Sequence, residues 1–187
     1  MGTIADDYRI AVDGFARRLA AVGDRWHLPT PCSEWDVRAL VAHVLDEQLW
    51  IPPLMAGETI AKVGDRFSGD MIGEHAMASW TAATAAAERG ASADGLGQRI
   101  VHLSMGDTPA DSYLREVTTD TVIHTWDLAR ALGVDDTLDP ALVAKALAQL
   151  EPVAEAWRAG GVLGARVEVP DDAGTQDRLL ALTGRRP

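Results

Sequence analysis

The chain has 187 residues, of which 47% are hydrophobic and 24% charged, and its formal net charge at neutral pH is -11. This length and composition predict a folded globular protein with a single domain over residues 1–187, and they argue against a disordered chain. The 28 acidic residues outnumber the 17 Lys and Arg, which are scattered in short pairs, so we expect no nucleic-acid partner.

Apolar residues recur mostly at helical spacing, and this pattern predicts an all-α protein with short irregular additions. Five helices are expected in chain order, about Thr3 to Val22, Ser33 to Met55, Asp70 to Arg89, Pro109 to Leu132 and Pro140 towards Trp157. Ser33 is the predicted N-cap of the second helix, Asp107 or Thr108 that of the fourth and Asp139 that of the fifth, and Gly133 is expected to end the fourth helix. Pro52-Pro53 are expected to kink or stop the second helix.

The segments between and after these helices are predicted from glycine, proline and charge. Residues 57–69 are rich in glycine and charge and are expected to form a loop, and residues 90–110 an irregular segment. The C-terminal extension is predicted to hold a short strand at RVEV, residues 166–169, and a helical turn or two at QDRLLAL, residues 176–182. Four long helices in about 150 residues favour a bundle of antiparallel neighbours.

The sequence also carries signals of cellular location. The one cysteine, Cys32, permits no internal disulfide, and the first residues, MGTIADDYRI, lack the basic start and apolar run of a secretory signal. No stretch approaches the ~18 consecutive apolar residues that span a bilayer. We therefore expect a cytoplasmic protein with no membrane partner, in which Cys32 is a small packed residue at a helix entrance.

The stretch TDTVIHTWDL, residues 119–128, places Asp120 and His124 four positions apart in a segment that otherwise has the pattern of a core helix. On a helix the two side chains share a stripe with Val117 and Leu128, and a buried carboxylate is destabilising unless it has a partner. Spacing i, i+4 lets both side chains converge on one point, as the histidines of HExxH helices do around zinc. A hydrogen-bonded core pair without metal is the alternative.

His43 is a third candidate ligand, from the second helix. It lies at the margin of the apolar face beside Leu40 and Val44, so it can point inward. Glu47, one turn later, is a fourth ligand, an acceptor for the His43 ring or a solvated residue. Two imidazoles and one carboxylate suit zinc, and also nickel or ferrous iron. Trp50 is expected either to line a cavity mouth or to pack in the core.

The helix that contains His124 is apolar on two opposite sides. Trp126 lies about 160° from His124 on a helical wheel, so the helix is expected either at the centre of its domain or at a subunit contact, which leaves a homodimer open. Asp127, about 60° from His124, is expected to accept a hydrogen bond from a ligand histidine or to cap a neighbouring chain end. Trp35 is expected to be a packing residue.

Three blocks of the sequence carry a family resemblance, LPTPCSEWDVRALVAHVL at residues 28–45, TDTVIHTWDLARALG at 119–133 and DDAGTQDRLLALTGRRP at 171–187. They resemble actinobacterial metal-binding proteins related to the N-terminal domain of mycothiol-dependent maleylpyruvate isomerase, in the DinB-like superfamily. The resemblance implies a DinB-like up-and-down four-helix bundle with a short C-terminal extension, and one divalent metal held by His43, Asp120 and His124. The isomerase has Glu at the position of Asp120. The Asp120 side chain is shorter than that of Glu but still allows direct ligation of the metal.

The same resemblance implies a type of chemistry. A metal-coordinated thiol loses its proton near neutral pH and becomes a nucleophile. The expected function is therefore that of a transferase or isomerase that uses mycothiol, a low-molecular-weight thiol, on a small electrophile. Glu47 is the one candidate for a catalytic acid or base. The alternatives are a non-catalytic metal-containing module that binds or senses a ligand, and a metal-free bundle in which Asp120 and His124 form a structural pair.

Overall fold

A computed structural model describes residues 2–92 and 95–187 of the chain; residues 93 and 94, within the segment predicted to be irregular, lie outside it. The described residues form eight α-helices, one hairpin and a 3₁₀ turn at Leu96–Gln98. The helices are α1 Ile4–Leu19, α2 Val37–Met55, α3 Ile60–Val63, α4 Ala76–Ala91, α5 Ala110–Leu132, α6 Pro140–Leu150, α7 Ala154–Ala159 and α8 Thr175–Leu182. The strands are β1 Ile100–Leu103 and β2 Gly106–Pro109.

The chain divides into two compact units, Met1–Asp135 and Asp136–Pro187. The expectation of one domain over the whole chain stays a prediction, because compactness alone does not say whether either unit folds without the other. None of the helices in the described ranges has the length and the apolar character needed to cross a membrane.

The first unit is built around four long helices, α1, α2, α4 and α5. Both α1 and α2 pack against α4 and α5, so the order around the bundle is α1, α5, α2, α4. The chain therefore crosses the bundle diagonally between α1 and α2, and again between α4 and α5. Fully buried side chains fill the centre, among them Tyr8, Phe15, Leu40, Leu114 and Leu128. The predicted helical fold with four long helices is confirmed.

Helix α2 begins later than predicted, and its N-cap is Asp36 instead of Ser33. The Asp36 carboxylate accepts a hydrogen bond from the backbone N–H of Ala39 at 2.8 Å. Ser33 lies inside a turn that is closed by the Trp35 N–H, which donates to the carbonyl of Cys32 at 2.8 Å. Because this turn fixes the backbone before Asp36, the helix starts only after it.

The segment between α2 and α4 also differs from the prediction. The expected loop 57–69 contains the short helix α3, which begins after the N-cap Thr59. Helix α4 begins at Ala76 and not near Asp70. The Asp70 carboxylate instead accepts a hydrogen bond from the Gly73 N–H at 3.3 Å, and Gly73 has a φ of 62°. This left-handed backbone interrupts a right-handed helix, so residues 70–75 form an irregular segment with bends.

The hairpin β1–β2 was not expected from the sequence. In its antiparallel register His102 pairs with Asp107, and their side chains also contact each other at 2.6 Å. Because Asp107 and Thr108 belong to a strand, the prediction that one of them caps the next helix is wrong. Helix α5 begins at Ala110, with Pro109 in the N-cap position.

Helix ends that were predicted from proline and glycine agree better with the structure. Helix α5 ends at Leu132, and Gly133 follows with a φ of 66°. Helix α6 has Asp139 as its N-cap and Pro140 as its first residue. Helix α2 ends at Met55, the predicted residue, but it continues through Pro52-Pro53, so the expectation that these prolines could stop it is wrong.

In the second unit, α6 packs against α8. Gln176 of α8 links it to the start of the unit, because its Oε1 accepts a hydrogen bond from the Leu138 N–H at 2.9 Å. The predicted helical turns at residues 176–182 are confirmed as part of α8. The predicted strand at 166–169 is wrong, since these residues belong to no strand; Val167 N–H instead donates to the carbonyl of Ala181 at 2.9 Å.

Candidate metal site

Two packed helices of the first unit bring the three predicted ligand residues together. His43 extends from α2, and Asp120 and His124 extend from one face of α5. The His43 Nε2 lies 3.2 Å from Asp120 Oδ2, and the His124 Nε2 lies 3.4 Å from Asp120 Oδ1. One ligand atom from each of the three side chains lies within 4.8 Å of the other two. The carboxylate therefore sits between two imidazoles.

These separations have the size that a metal site requires. Bonds of about 2.0–2.1 Å from a zinc ion to nitrogen and oxygen, at tetrahedral angles, put ligand atoms about 3.3 Å apart. The two measured separations are 3.2 Å from His43 to Asp120 Oδ2 and 3.4 Å from His124 to Asp120 Oδ1, so the carboxylate presents one oxygen to each imidazole. His124 is 5% exposed, whereas His43 and Asp120 are partly exposed. Two imidazoles and a carboxylate with one open side suit a divalent ion that keeps an exchangeable position.

The charges of Asp120 and His124 stabilise each other. Burial by itself would raise the pKa of Asp120, but the imidazoles of His124 and His43 outweigh it and hold that pKa well below its usual range. Burial by itself would lower the pKa of His124, but the Asp120 and Asp127 carboxylates raise it well above its usual value. In the metal-free protein a proton therefore occupies the position that an ion would take, and ion and proton compete for this site.

A second carboxylate, that of Asp127, contacts the other ring nitrogen of His124, Nδ1. His124 Nδ1 lies 2.9 Å from Asp127 Oδ2, and the Asp127 side chain is 0% exposed. This contact is the first of the two roles expected for Asp127. A carboxylate on Nδ1 fixes the orientation of the ring and directs the lone pair of Nε2 towards Asp120 and His43, as it does in many metal sites. Cys32 Sγ donates a hydrogen bond to the same Asp127 oxygen at 3.3 Å.

An indole ring covers both imidazoles. The Trp35 ring centroid lies 4.7 Å from that of His43 and 5.6 Å from that of His124. Trp35 and Cys32 belong to the loop that precedes α2, so the same turn that delays the start of α2 positions both side chains. Trp35 therefore packs, as expected, but it packs against the candidate ligands.

An open pocket lies beside His43. Its volume is about 360 Å³, and besides His43 its walls include Asp46, Trp50, Phe67 and Met71. The Trp50 and Phe67 rings meet edge to face with centroids 6.2 Å apart. Trp50 thus lines a cavity, which is one of its two expected roles. The pocket combines aromatic walls with one carboxylate next to a candidate ligand, as small-molecule sites do.

Glu47 lies one helical turn after His43 and is partly buried. Burial, followed by repulsion from the Asp120 carboxylate, raises the pKa of Glu47 to about 7. This burial argues against the solvated role considered for Glu47. The residue belongs to neither of the two ligand clusters that the described residues form, so its expected role as a fourth ligand stays a prediction.

A buried hydrogen-bond network lies directly next to the candidate ligands. Gln48, 0% exposed, follows Glu47 on α2, and its Oε1 accepts a hydrogen bond from the Tyr8 hydroxyl of α1 at 2.7 Å. The Gln48 Nε2 donates to the Val44 carbonyl at 2.8 Å and to the Thr121 hydroxyl of α5 at 3.4 Å. These hydrogen bonds therefore connect α1, α2 and α5, and the contact on α5 is made by Thr121, the residue after Asp120.

Sequence reasoning brought His43, Asp120 and His124 together but missed the place of Cys32. The Cys32 thiol, which was expected to pack at a helix entrance, lies 4.0 Å from His124 Nδ1 and shares Asp127 with it. The one sequence signal for this role of Cys32 is its position in the block at residues 28–45, immediately before the helix that carries His43.

Trp126 is 2% exposed on the opposite side of α5, and the Arg130 guanidinium lies 5.2 Å from its ring centroid.

Comparisons with known proteins agree with this architecture. The profile of the mycothiol maleylpyruvate isomerase N-terminal domain family matches residues 8–129, a range that includes all three candidate ligands. An uncharacterized protein of Mycobacterium tuberculosis, Rv0738 in strain H37Rv and MT0763 in strain CDC 1551, is 32% identical over 180 residues, which cover 94% of this chain and 93% of the relative. No solved structure matches significantly. The chain therefore belongs to the mycothiol maleylpyruvate isomerase N-terminal domain family.

Proposed function

We propose that the protein binds one divalent metal through His43, Asp120 and His124 and uses it in a transfer or isomerisation reaction of mycothiol with a small electrophile. Zinc suits this ligand set best, and nickel and ferrous iron suit it as well. One observation carries the proposal: the ligand atoms of the three side chains lie within 4.8 Å of one another beside an open pocket.

The pocket supports a small-molecule substrate. Its volume of about 360 Å³ is at the lower end of the range for small-molecule sites, and His43 forms part of its wall. A molecule held against the Trp50 and Phe67 rings would therefore lie next to His43, one of the three candidate ligands. The chain matches the family described as the mycothiol maleylpyruvate isomerase N-terminal domain, and this description supports mycothiol as the cosubstrate.

The residues around the site have separate roles in this proposal. A divalent ion at this position would lower the pKa of a coordinated thiol, so that the thiolate exists at neutral pH. Asp127 fixes the orientation of the His124 ring from behind, and the Trp35 ring limits water access to both imidazoles. Glu47, whose pKa is about 7, can accept the proton that the incoming thiol releases.

The metal proposal is tested by metal analysis of protein purified without an affinity tag. We expect about one ion per chain in the wild type, and loss of most of it in His124→Ala. His102→Ala is the matched control, because His102 lies on the hairpin, pairs with Asp107 and belongs to neither ligand cluster among the described residues. Equal and negligible metal in the wild type and His124→Ala would instead support the metal-free bundle.

The thiol proposal is tested by mass spectrometry after incubation with mycothiol and a panel of small electrophiles. We expect a conjugated or isomerised product with the wild type and His102→Ala, and none with His124→Ala or after metal removal by EDTA. If the wild type binds its ion but gives no metal-dependent product, the non-catalytic ligand-binding module is the better description of this protein.

A further inference from the structure

His124 belongs to a second cluster of potential metal ligands, on the other side of its ring. Asp127 Oδ2 lies 2.9 Å from His124 Nδ1 and 3.3 Å from Cys32 Sγ, and Sγ lies 4.0 Å from Nδ1. All three atoms are within 4.8 Å of one another. The cluster offers one sulfur, one nitrogen and one oxygen, whereas the cluster of the proposed function offers no sulfur.

These separations come close to those around an ion, and binding would lengthen the contact of His124 Nδ1 with Asp127 Oδ2 and shorten that of Cys32 Sγ with His124 Nδ1 by about 0.4 Å each. With a bond of about 2.3 Å to sulfur and about 2.0–2.1 Å to nitrogen and oxygen, tetrahedral ligand atoms lie about 3.3–3.6 Å apart. The Asp127 carboxylate is 0% exposed and closes the cluster at its inner side, whereas Cys32 is partly exposed. An ion can therefore reach the cluster from the side of Cys32 without opening the bundle.

We propose that Cys32 Sγ, His124 Nδ1 and Asp127 Oδ2 form a second ligand set, which holds a thiophilic divalent cation such as Cd²⁺. A thiolate selects soft ions, whereas two imidazoles and a carboxylate do not. When the ion binds, Cys32 releases its thiol proton and His124 loses its Nδ1 proton, and both protons go to solvent. The ion then replaces the hydrogen bonds that now join the three side chains.

The two ligand sets compete, because they share one imidazole. A neutral imidazole carries one proton and offers a lone pair on one nitrogen only. With an ion on Nδ1, the one remaining ring proton stays on Nε2, so Nε2 faces His43 and Asp120 as a donor and cannot act as a ligand. A soft ion at the second set is thus expected to displace a harder ion from the first set, so the site responds to the type of metal present.

Absorbance spectroscopy provides a direct test, because Cys32 is the single cysteine of the chain. A thiolate-to-metal charge-transfer band on titration with Cd²⁺ can arise from no other residue. We expect the band in the tag-free wild type and in Asp120→Asn, which disables only the first set. We expect no band in Cys32→Ser, together with a loss of Cd²⁺ affinity of more than about 100-fold, since removing a ligand weakens binding more than removing an outer partner.

Two results would overturn this inference. The first is the absence of the band from both the wild type and Asp120→Asn, while circular dichroism shows that both proteins are folded. The second is a band that requires Asp120, because Cys32 would then reach an ion of the first set. The zinc affinity of Cys32→Ser is measured in parallel and is expected to remain within about 10-fold of that of the wild type. A protein that binds zinc but shows no Cd²⁺ band would refute the second ligand set and leave the proposed function standing.

Discussion

Replacing Glu47 with glutamine is expected to make the metal-free protein more stable, by an amount that grows as the pH rises. Burial and the nearby Asp120 carboxylate raise the pKa of Glu47 from 4.5 to about 7 in the folded protein. Between these two values the unfolded chain is ionised at Glu47 while the folded chain still holds the proton. The free energy of unfolding therefore falls as the pH rises through this window, and the loss is complete above about pH 7.

The magnitude follows from proton linkage. With pKa values of 4.5 and about 7, the Glu47 carboxylate destabilises the fold by about 1 kcal/mol at pH 5.5 and by about 3 kcal/mol at pH 8. Glutamine has nearly the same shape and no charge, so it removes this penalty. The advantage of Glu47→Gln over the wild type should accordingly increase by about 2 kcal/mol between these two pH values.

Urea unfolding at both pH values, with EDTA present throughout, measures this difference. Glu34→Gln is the matched control, because Glu34 is exposed and its replacement should change the free energy of unfolding by less than about 0.5 kcal/mol at either pH. If the advantage of Glu47→Gln is the same at pH 5.5 and pH 8, the Glu47 carboxyl does not carry the raised pKa, and its proposed role as a proton acceptor fails with it.

Three further substitutions test the fold around the site. Tyr8→Phe leaves the buried Gln48 Oε1 without its donor and should lower the free energy of unfolding by about 1–3 kcal/mol in urea. Asp36→Ala removes the N-cap of α2 and should cost about 1 kcal/mol in thermal unfolding, whereas Ser33→Ala should have little effect; the reverse order would contradict the cap assignment. Leu128→Ala, at a fully buried position, should cost about 2–5 kcal/mol, and a change below 1 kcal/mol would argue against this core.

The helices that position the site could be predicted from sequence because their signals are local. The apolar period, the Gly133 stop and the Asp139-Pro140 start each depend on neighbouring residues only. The convergence of His43 with Asp120 and His124 was expected because all three lie on or beside apolar faces, and apolar faces of a bundle meet in its interior. Their role as metal ligands stays a proposal.

What sequence reasoning missed depends on contacts between distant residues. The hairpin β1–β2 has strands of four residues, too short for a period of two to be recognised in the sequence. Cys32 gains its place beside His124 from a turn that precedes α2 and from a helix 92 positions further along the chain. No local pattern contains either relation. Helix order around the bundle was missed for the same reason, because it depends on which apolar faces meet.

The network of Tyr8, Gln48 and Thr121 has a consequence for the precision of the site. Apolar helix faces can slip past each other by one helical turn with little change in buried area, because the same stripe then faces the partner, but such a slip moves one helix by about 5.4 Å. Gln48 and Thr121 follow Glu47 and Asp120 directly, and their hydrogen bond is formed in one register only. Such buried polar contacts select one alignment among several of similar apolar burial. The alignment of α2 with α5 is thus specified within one residue of the place where His43 meets Asp120.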